Sequence, residues 1–337
     1  MVNEKYTKIR QIIFAVGVGV LVVIILVVAF LVGIDKSNGE QDGSSNVISV
    51  SGTHELTGSY QCIKVNTLHD VRLILNNAII TCESGPAIYI EESGDVEIVL
   101  KGENYISATT TEEFEGAIHS KEDLVLSGEG SLTINSNYDG IVGRDSVVIE
   151  GGNYQIIAEY DGIKAKDDLT INGGTFKIQN RDDGIRAKGK VEINGGTFDL
   201  DSYEGIEATY ILINDGKISI KATDDGMNAG DKSDAYDIMI EINGGELTID
   251  MGAGDTDAID SNGDLKITGG TIIIVAQSPF DYDGKLTFTG GTVIVNGVEV
   301  DEITNQFMGG GGMNGGMPGE MNPGEMGPGG AGMPRGM

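Results

Sequence analysis

The feature that most constrains the fold is an internal repeat of roughly 20 to 25 residues. Residues 161–198 read DGIKAKDDLTINGGTFKIQNRDDGIRAKGKVEINGGTF, in which DGIKA is followed one unit later by DGIRA, and NGGTF by a second NGGTF. Such units begin at or near Val47, Val71, Val96, Leu124, Val147, Leu169, Val191, Ile211, Ile240, Leu265 and Leu286. A period in this range is typical of solenoids, in which each unit packs only against its neighbours.

Each unit carries the pattern of short, half-buried strands. Apolar residues alternate with polar ones, as at Leu169 and Ile171, and glycine pairs such as Gly173-Gly174 supply turns between the alternating segments. No helical pattern of comparable length follows residue 34. Three strands per coil and about eleven coils predict an all-β fold, a right-handed parallel β-helix over residues 47–305.

An asparagine recurs at one position of the repeat, ahead of the glycines. It falls at Asn172, Asn194, Asn214 and Asn243. Amides stacked on successive strands hydrogen-bond one to the next. The sequence therefore predicts a structural asparagine ladder along the solenoid.

The N-terminal part of the chain predicts a membrane anchor. Residues 12–34 form an uncharged apolar run that is long enough to cross a bilayer as a helix. Lys5, Lys8 and Arg10 precede this run, which by the positive-inside rule places residues 1–11 in the cytoplasm. We expect a single-pass transmembrane anchor at 12–34, a polar linker at 35–46 and the β-helix at the cell surface. A signal peptide cleaved in spite of its length is the alternative.

The overall charge restricts the partners. A net charge of -30 excludes nucleic acid as the expected ligand and favours cations, or ligands bridged by cations. Residues 306–337 are rich in Gly, Met and Pro and predict a disordered tail. Cys62 and Cys82 lie in an oxidising compartment under this topology, but the sequence leaves open whether they form a disulfide.

Superposing the units places carboxylates in register at one corner. This corner row contains Asp139, Asp161, Asp183, Glu204, Asp225 and Asp257. Three residues further on, an outer row reads Val142, Lys164, Arg186, Glu207, Asn228, Asp260 and Asp281. Lys164 and Arg186 are expected to neutralise the nearby corner acids, and a role of either residue as a catalytic base is the alternative.

The last coils lack such cations, which predicts a metal site. The residues expected to bind the ion are Asp225, Asn228, Asp255, Asp257, Asp260, Asn262, Asp281 and Asp283. Oxygen ligands on successive coils lie about 4.8 Å apart, so that one ion is held from two coils. Ligation by oxygen alone favours Ca²⁺ over zinc, and a solvated acidic edge is the alternative.

Three tyrosines precede the acid of the corner row. Tyr138, Tyr160 and Tyr203 occupy this position, and Asp182 and Asp224 replace tyrosine in other coils. Exposed tyrosines at a repeated corner either stack on sugar rings or cover the turn. We include the three tyrosines, with Lys164 and Arg186, among the expected ligand-binding residues.

Several segments together resemble a known family. The runs DGIKAKDDLTINGGTF, DDGIRAKGKVEINGGTF, DDGMNAG, DAIDSNGDLKITGG and FDYDGKLTFTGGTV resemble the secreted bacterial carbohydrate-binding, calcium-containing parallel β-helix proteins, whose fold is similar to the pectate lyase superfamily. The resemblance implies calcium at acidic corners and a cellulosic or acidic pectic polysaccharide as ligand. The chain departs from the pattern at Glu204-Gly205 and at Ser278-Pro279-Phe280.

Three functions remain as hypotheses. We expect a non-catalytic, calcium-dependent polysaccharide-binding protein at the cell surface. The second hypothesis is a pectate-type polysaccharide lyase in which Lys164 or Arg186 removes the proton beside the uronate carboxyl group. The third is a structural or adhesive rod that binds another protein.

Overall fold

The computed structural model describes residues 46–252 and 256–305. The regular secondary structure within these residues consists of β-strands. In chain order the strands are β1 (Val47–Ile48), β2 (Gly52–Tyr60), β3 (Ile63–Asn66), β4 (Val71–Cys82), β5 (Ile88–Glu92), β6 (Val96–Lys101), β7 (Glu103–Ala108), β8 (Gly116–Ser120), β9 (Leu124–Gly128), β10 (Ser131–Ser136), β11 (Asp139–Gly143), β12 (Val147–Ile149), β13 (Asn153–Ile157), β14 (Ile163–Ala165), β15 (Leu169–Ile171), β16 (Thr175–Gln179), β17 (Asp183–Ala187), β18 (Lys190–Ile193), β19 (Thr197–Asp201), β20 (Glu204–Ala208), β21 (Tyr210–Ile213), β22 (Lys217–Ala222), β23 (Met227–Ala229), β24 (Met239–Ile242), β25 (Glu246–Met251), β26 (Asp257–Ser261), β27 (Asp264–Ile267), β28 (Thr271–Val275), β29 (Ser278–Tyr282), β30 (Leu286–Phe288), β31 (Thr292–Val295) and β32 (Val298–Val300).

The strands wind into a solenoid with three faces. The first face is an 11-stranded parallel sheet in the order β1-β3-β5-β8-β11-β14-β17-β20-β23-β26-β29. The second face contains β6, β9, β12, β15, β18, β21, β24, β27 and β30, and the third contains β7, β10, β13, β16, β19, β22, β25, β28 and β31, while β2 and β4 extend along both. The prediction of an all-β solenoid of about eleven coils is confirmed, and its right-handed winding remains a prediction.

Aliphatic and aromatic side chains stack inside the coils. The alternating residues of each strand point inward and are almost fully buried, as at Leu169 and Ile171. On the third face the rings of Tyr154 and Phe176 lie 5.0 Å apart, and those of Phe176 and Phe198 lie 4.7 Å apart, almost parallel. Because equivalent residues occupy equivalent positions in successive coils, one core runs along the described solenoid.

The predicted asparagine ladder is present at the corner between the second and third faces. The amide of Asn194 donates to Asn172 Oδ1 at 2.9 Å, and that of Asn214 donates to Asn194 Oδ1 at 2.8 Å. Asn243 continues the ladder by donating to Asn214 Oδ1 at 3.1 Å. At the same corner Gly174 has φ of 112°, a left-handed conformation that favours glycine.

The two cysteines form a disulfide. Cys62 and Cys82 lie at the ends of the first two coils, and their Cα atoms are 4.8 Å apart. The bridge therefore links neighbouring coils at the N-terminal end of the described solenoid, which answers a question that the sequence had left open.

The predicted anchor at 12–34, the linker up to residue 45 and the tail at 306–337 lie outside the described residues. Within the described residues, no helix has both the length and the apolar character needed to cross a bilayer. The described residues all belong to one compact unit, which begins at residue 46 and contains the solenoid.

Candidate functional site: the first face and its corner

The register of the first face places the outer row as predicted from the repeat. Val142 pairs with Lys164, which in turn pairs with Arg186. Arg186 pairs with Glu207, and Glu207 with Asn228. The row then continues through the pairs Asn228–Asp260 and Asp260–Asp281. Its character therefore changes along the solenoid from cationic to acidic.

Carboxylates of the corner row accept hydrogen bonds from backbone amides of the following coil. Asp139 Oδ1 accepts a hydrogen bond from the amide of Asp161 at 3.0 Å, and Asp161 Oδ1 accepts one from the amide of Asp183 at 3.2 Å. Asp225 Oδ1 accepts one from the amide of Asp257 at 3.2 Å. Three of these carboxylates, those of Asp139, Asp161 and Asp183, are almost fully buried. The Asp-Gly repeat thus provides both a turn and an inter-coil hydrogen bond.

Lys164 neutralises the first part of the corner row, as predicted. Its Nζ lies 3.0 Å from Asp161 Oδ2 and 3.3 Å from Asp139 Oδ2. Glu115 Oε2 is 3.7 Å from the same nitrogen. Burial alone would lower the pKa of Lys164, but the surrounding carboxylates outweigh it and hold this pKa above its usual value. Lys164 is therefore a counter-ion in this structure.

Arg186 has the same role one coil further on. It donates through Nη1 to Asp183 Oδ2 at 3.0 Å, and its Nε lies 2.9 Å from Glu207 Oε2. Lys232 approaches Glu207 from the opposite side, with Nζ 2.5 Å from Oε1. Burial raises the pKa of Glu207, but the hydrogen bond from Lys232 and the charge of Arg186 outweigh burial and lower the pKa below its usual value.

Asp183, Asp225 and Asp260 have raised pKa values, first because they are buried and then because other carboxylates lie nearby. Burial, and then the charge of Asp161, raise the pKa of Asp183 to about 9. Burial and the charge of Asp260 raise the pKa of Asp225 to about 8. Burial and the charge of Asp257 raise that of Asp260 to about 7. Bringing a cation to these groups would lower their pKa values and relieve their mutual repulsion.

The structure brings most of the predicted calcium ligands onto adjacent coils. Asp260 and Asp281 are direct register partners, and Ser278 donates to Asp257 Oδ1. Asn228 Oδ1 and Asp281 Oδ1 are buried and accept no hydrogen bond from the described residues. Asn262 and Asp283 are more exposed at the edge of this region. Asp255 lies outside the described residues.

The tightest carboxylate groups lie nearer the middle of the solenoid than the sequence predicted. Among the described residues, three sets have ligand oxygens within 4.8 Å of one another: Asp161, Asp182 and Asp183; Asp183, Glu204 and Glu207; and Glu204, Asp224 and Asp225. They share only Asp225 with the predicted calcium ligands. Two of the three sets are adjacent to Lys164 or Arg186, so protein cations already neutralise part of their charge.

A long connection joins β23 to β24. This strap, residues 230–238, contains Asp231, Asp234 and Asp237. In the structure it contacts earlier coils, because Tyr236 donates to Asp168 Oδ2 at 2.6 Å and the amide of Lys232 donates to Thr209 Oγ1 at 3.0 Å. Lys232 is the cation of the site that the repeat alignment missed, since it lies in an insertion.

The tyrosines lie in one line at the corner between the third and first faces. The rings of Tyr138 and Tyr160 stack with centroids 4.2 Å apart, and the amide of Tyr160 donates to the carbonyl of Tyr138. Tyr203 follows two coils after Tyr160, and its amide donates to the carbonyl of Asp182 in the coil between them. Tyr160 and Tyr203 are each 45% exposed.

A protein family and a solved structure are similar to this chain. A family model described as "Carbohydrate-binding domain-containing protein" matches residues 42–212 and 182–301. A solved polysaccharide lyase-like protein from C. thermocellum, studied as a gadolinium derivative, is 22% identical over 75% of this chain and 85% of that chain, with a TM-score of 0.40. No curated protein sequence matches the chain significantly.

Proposed function

Because this chain belongs to the carbohydrate-binding domain-containing protein family, we propose that it is a non-catalytic polysaccharide-binding protein whose first face binds an acidic glycan through Ca²⁺. The ligand class is an acidic pectic polysaccharide, with a cellulose-like glycan as the neutral counterpart. The proposal includes the membrane anchor at 12–34, which would present the solenoid at the cell surface.

The observation that carries the calcium proposal is the register of Asn228, Asp260 and Asp281 on three successive coils. Oxygen atoms at this spacing match an ion held between coils. Two buried oxygens of this row, Asn228 Oδ1 and Asp281 Oδ1, accept no hydrogen bond from the described residues, and a buried acceptor without a donor is costly. The donor set consists of carboxylate and amide oxygens, which suits Ca²⁺.

When bound, Ca²⁺ would supply positive charge that a uronate carboxylate can share. Asp225, Asp257, Asp260 and Asp281 would hold the ion from the protein side. Asn228 would contribute its amide oxygen and Asp283 the most exposed carboxylate of the group. The protein residues would in this way position a glycan carboxylate on the first face without covalent chemistry.

The ion pairs argue against the lyase alternative. A base that removes a proton needs a free lone pair near the substrate. Lys164 lies within 3.3 Å of two carboxylates, and Arg186 lies within 3.0 Å of Asp183 and Glu207. Unsaturated, ultraviolet-absorbing products formed from polygalacturonate would show that the protein is a lyase and would contradict this argument. A protein-binding rod remains the third hypothesis, which a glycan panel without any binder would favour.

The test is a binding assay with the full-length protein on polygalacturonate and on insoluble cellulose, with Ca²⁺ or with excess chelator. We expect retention on polygalacturonate that requires Ca²⁺ and that Asp260→Asn or Asp281→Asn weakens. Asp250→Asn, which removes an exposed carboxylate from the third face, is the matched control. Equal retention in chelator would contradict calcium bridging, and no retention on any glycan would contradict the proposed function.

A further inference from the structure

The aromatic side chains of the described solenoid are unevenly distributed. Among the described residues, Tyr160 and Tyr203 are the only exposed tyrosine or phenylalanine side chains. They lie at the same corner and are separated by a single coil, which contributes Asp182. The spacing of their backbones is therefore about two coil repeats, roughly 10 Å, which is close to the length of a disaccharide.

The fold itself does not require tyrosine at this corner. Asp182 and Asp224 occupy the same position in neighbouring coils and make the same backbone ladder, since the amide of Tyr203 donates to the carbonyl of Asp182 and that of Asp224 donates to the carbonyl of Tyr203. An exposed ring at a position where a polar residue suffices points to a binding role, because aromatic rings offer an apolar surface with a polar edge.

Both rings are held in place. Tyr160 stacks on Tyr138, with centroids 4.2 Å apart and planes 26° apart. Its carbonyl also accepts a hydrogen bond from the Asn180 amide at 2.8 Å. The charge of Asp224, and then a hydrogen bond between Asp224 and the Tyr203 hydroxyl, raise the pKa of this phenol. A ring that is already oriented loses little entropy when a ligand stacks on it.

The surroundings of these rings are acidic. Asp182 lies between them, half buried, with ligand oxygens close to those of Asp161 and Asp183. The nearest cations are engaged, since Lys164 pairs with Asp161, Arg186 with Asp183, and Arg181 with Glu159. A carboxylate between two apolar rings accepts hydrogen bonds from sugar hydroxyls, but it repels the carboxylate of a uronate.

Building on the proposed polysaccharide binding, we propose that Tyr160, Asp182 and Tyr203 form a calcium-independent subsite for an uncharged stretch of polysaccharide, in which Asp182 selects uncharged sugars over uronates. Sugar rings contact the exposed parts of Tyr160 and Tyr203. Asp182 binds hydroxyl groups between them. This subsite is separate from the predicted calcium ligands on the later coils.

The test compares two forms of one polymer in excess chelator. Fully methyl-esterified polygalacturonate is uncharged, whereas the de-esterified polymer has the same backbone with free carboxylates. We expect the full-length protein to bind the esterified form and to reject the charged form. Tyr160→Ala should weaken binding of the esterified polymer by about tenfold, and Asp182→Asn should reduce the preference between the two polymers.

Asp199→Asn is the matched control, because Asp199 is an exposed carboxylate on the third face. Thermal unfolding of each variant checks that the solenoid is intact. Binding of the esterified polymer that is unchanged in Tyr160→Ala, or a preference that is unchanged in Asp182→Asn, would overturn the inference. A separate measurement, binding of the charged polymer in Ca²⁺, tests the proposed function, so that one proposal can fail while the other holds.

Discussion

Removing one carboxylate from the last coils should have opposite effects with and without calcium. In calcium-free protein, burial and then the charges of Asp257 and Asp281 raise the pKa of Asp260 to about 7. Asp260→Asn removes this unfavourable negative charge with little change in the size of the side chain. We therefore predict that the variant is more stable than the wild type in chelator at pH 8 and gains less from calcium.

The magnitude follows from the pKa of Asp260. A rise of about three pKa units corresponds to an upper bound of ~4 kcal/mol, because one unit is worth ~1.4 kcal/mol. Partial solvent access reduces the expected gain to about 2 kcal/mol at pH 8. The folded-state pKa is raised above the unfolded value, so the wild type has its full stability below pH ~4 and loses it as the pH rises through about 7. The advantage of the variant should therefore disappear near pH 4.

Urea unfolding followed by circular dichroism measures this effect at pH 4 and pH 8, with chelator or with Ca²⁺. Asp250→Asn makes the same charge change at an exposed position of the third face. It should leave both the free energy of unfolding in chelator and its increase in Ca²⁺ nearly unchanged. An Asp260→Asn variant that is less stable than the wild type at pH 8 in chelator would refute the reasoning. So would a calcium-induced gain equal to that of the wild type.

Three further predictions concern the solenoid. Phe176→Ala should lower the free energy of unfolding by about 3–5 kcal/mol, because Phe176 is buried between two stacked rings; urea unfolding with Phe176→Leu as the milder control checks this, and a loss below 1 kcal/mol would contradict it. Lys164→Met should destabilise the protein by about 3 kcal/mol at pH 8 and by less at pH 5, because Asp139 and Asp161 then lack their counter-ion; an equal loss at both pH values would be inconsistent with that role. Asn194→Ala should cost about 1 kcal/mol by interrupting the ladder on both sides, and thermal melts that are unchanged would show that the ladder contributes nothing.

Much of the first face could be predicted because the repeat fixes the register. A shift of one unit carries Lys164 onto Arg186 and Asp260 onto Asp281, and the strand pairs are those of the structure. Alternation of apolar residues identified the buried face, since a strand exposes every second side chain. The asparagine ladder followed from the same regularity.

The features that were missed depend on contacts outside the repeat. The strap is an insertion, and nothing in its sequence shows that Tyr236 reaches Asp168, which is 68 residues earlier. Lys232 was therefore absent from the predicted site, although it is the second cation on Glu207. Spacing also could not decide the pairing of Cys62 with Cys82, because disulfide formation depends on the distance between coils.

Calorimetric titration of the full-length protein with Ca²⁺ tests the central claim most directly. The claim is that carboxylates on successive coils form an inter-coil cation site. We predict calcium uptake that Asp260→Asn and Asp281→Asn weaken, with proton release at pH 7 because Asp225 and Asp260 have raised pKa values. Absence of calcium uptake by the folded wild-type protein, or uptake that neither substitution changes, would contradict the claim.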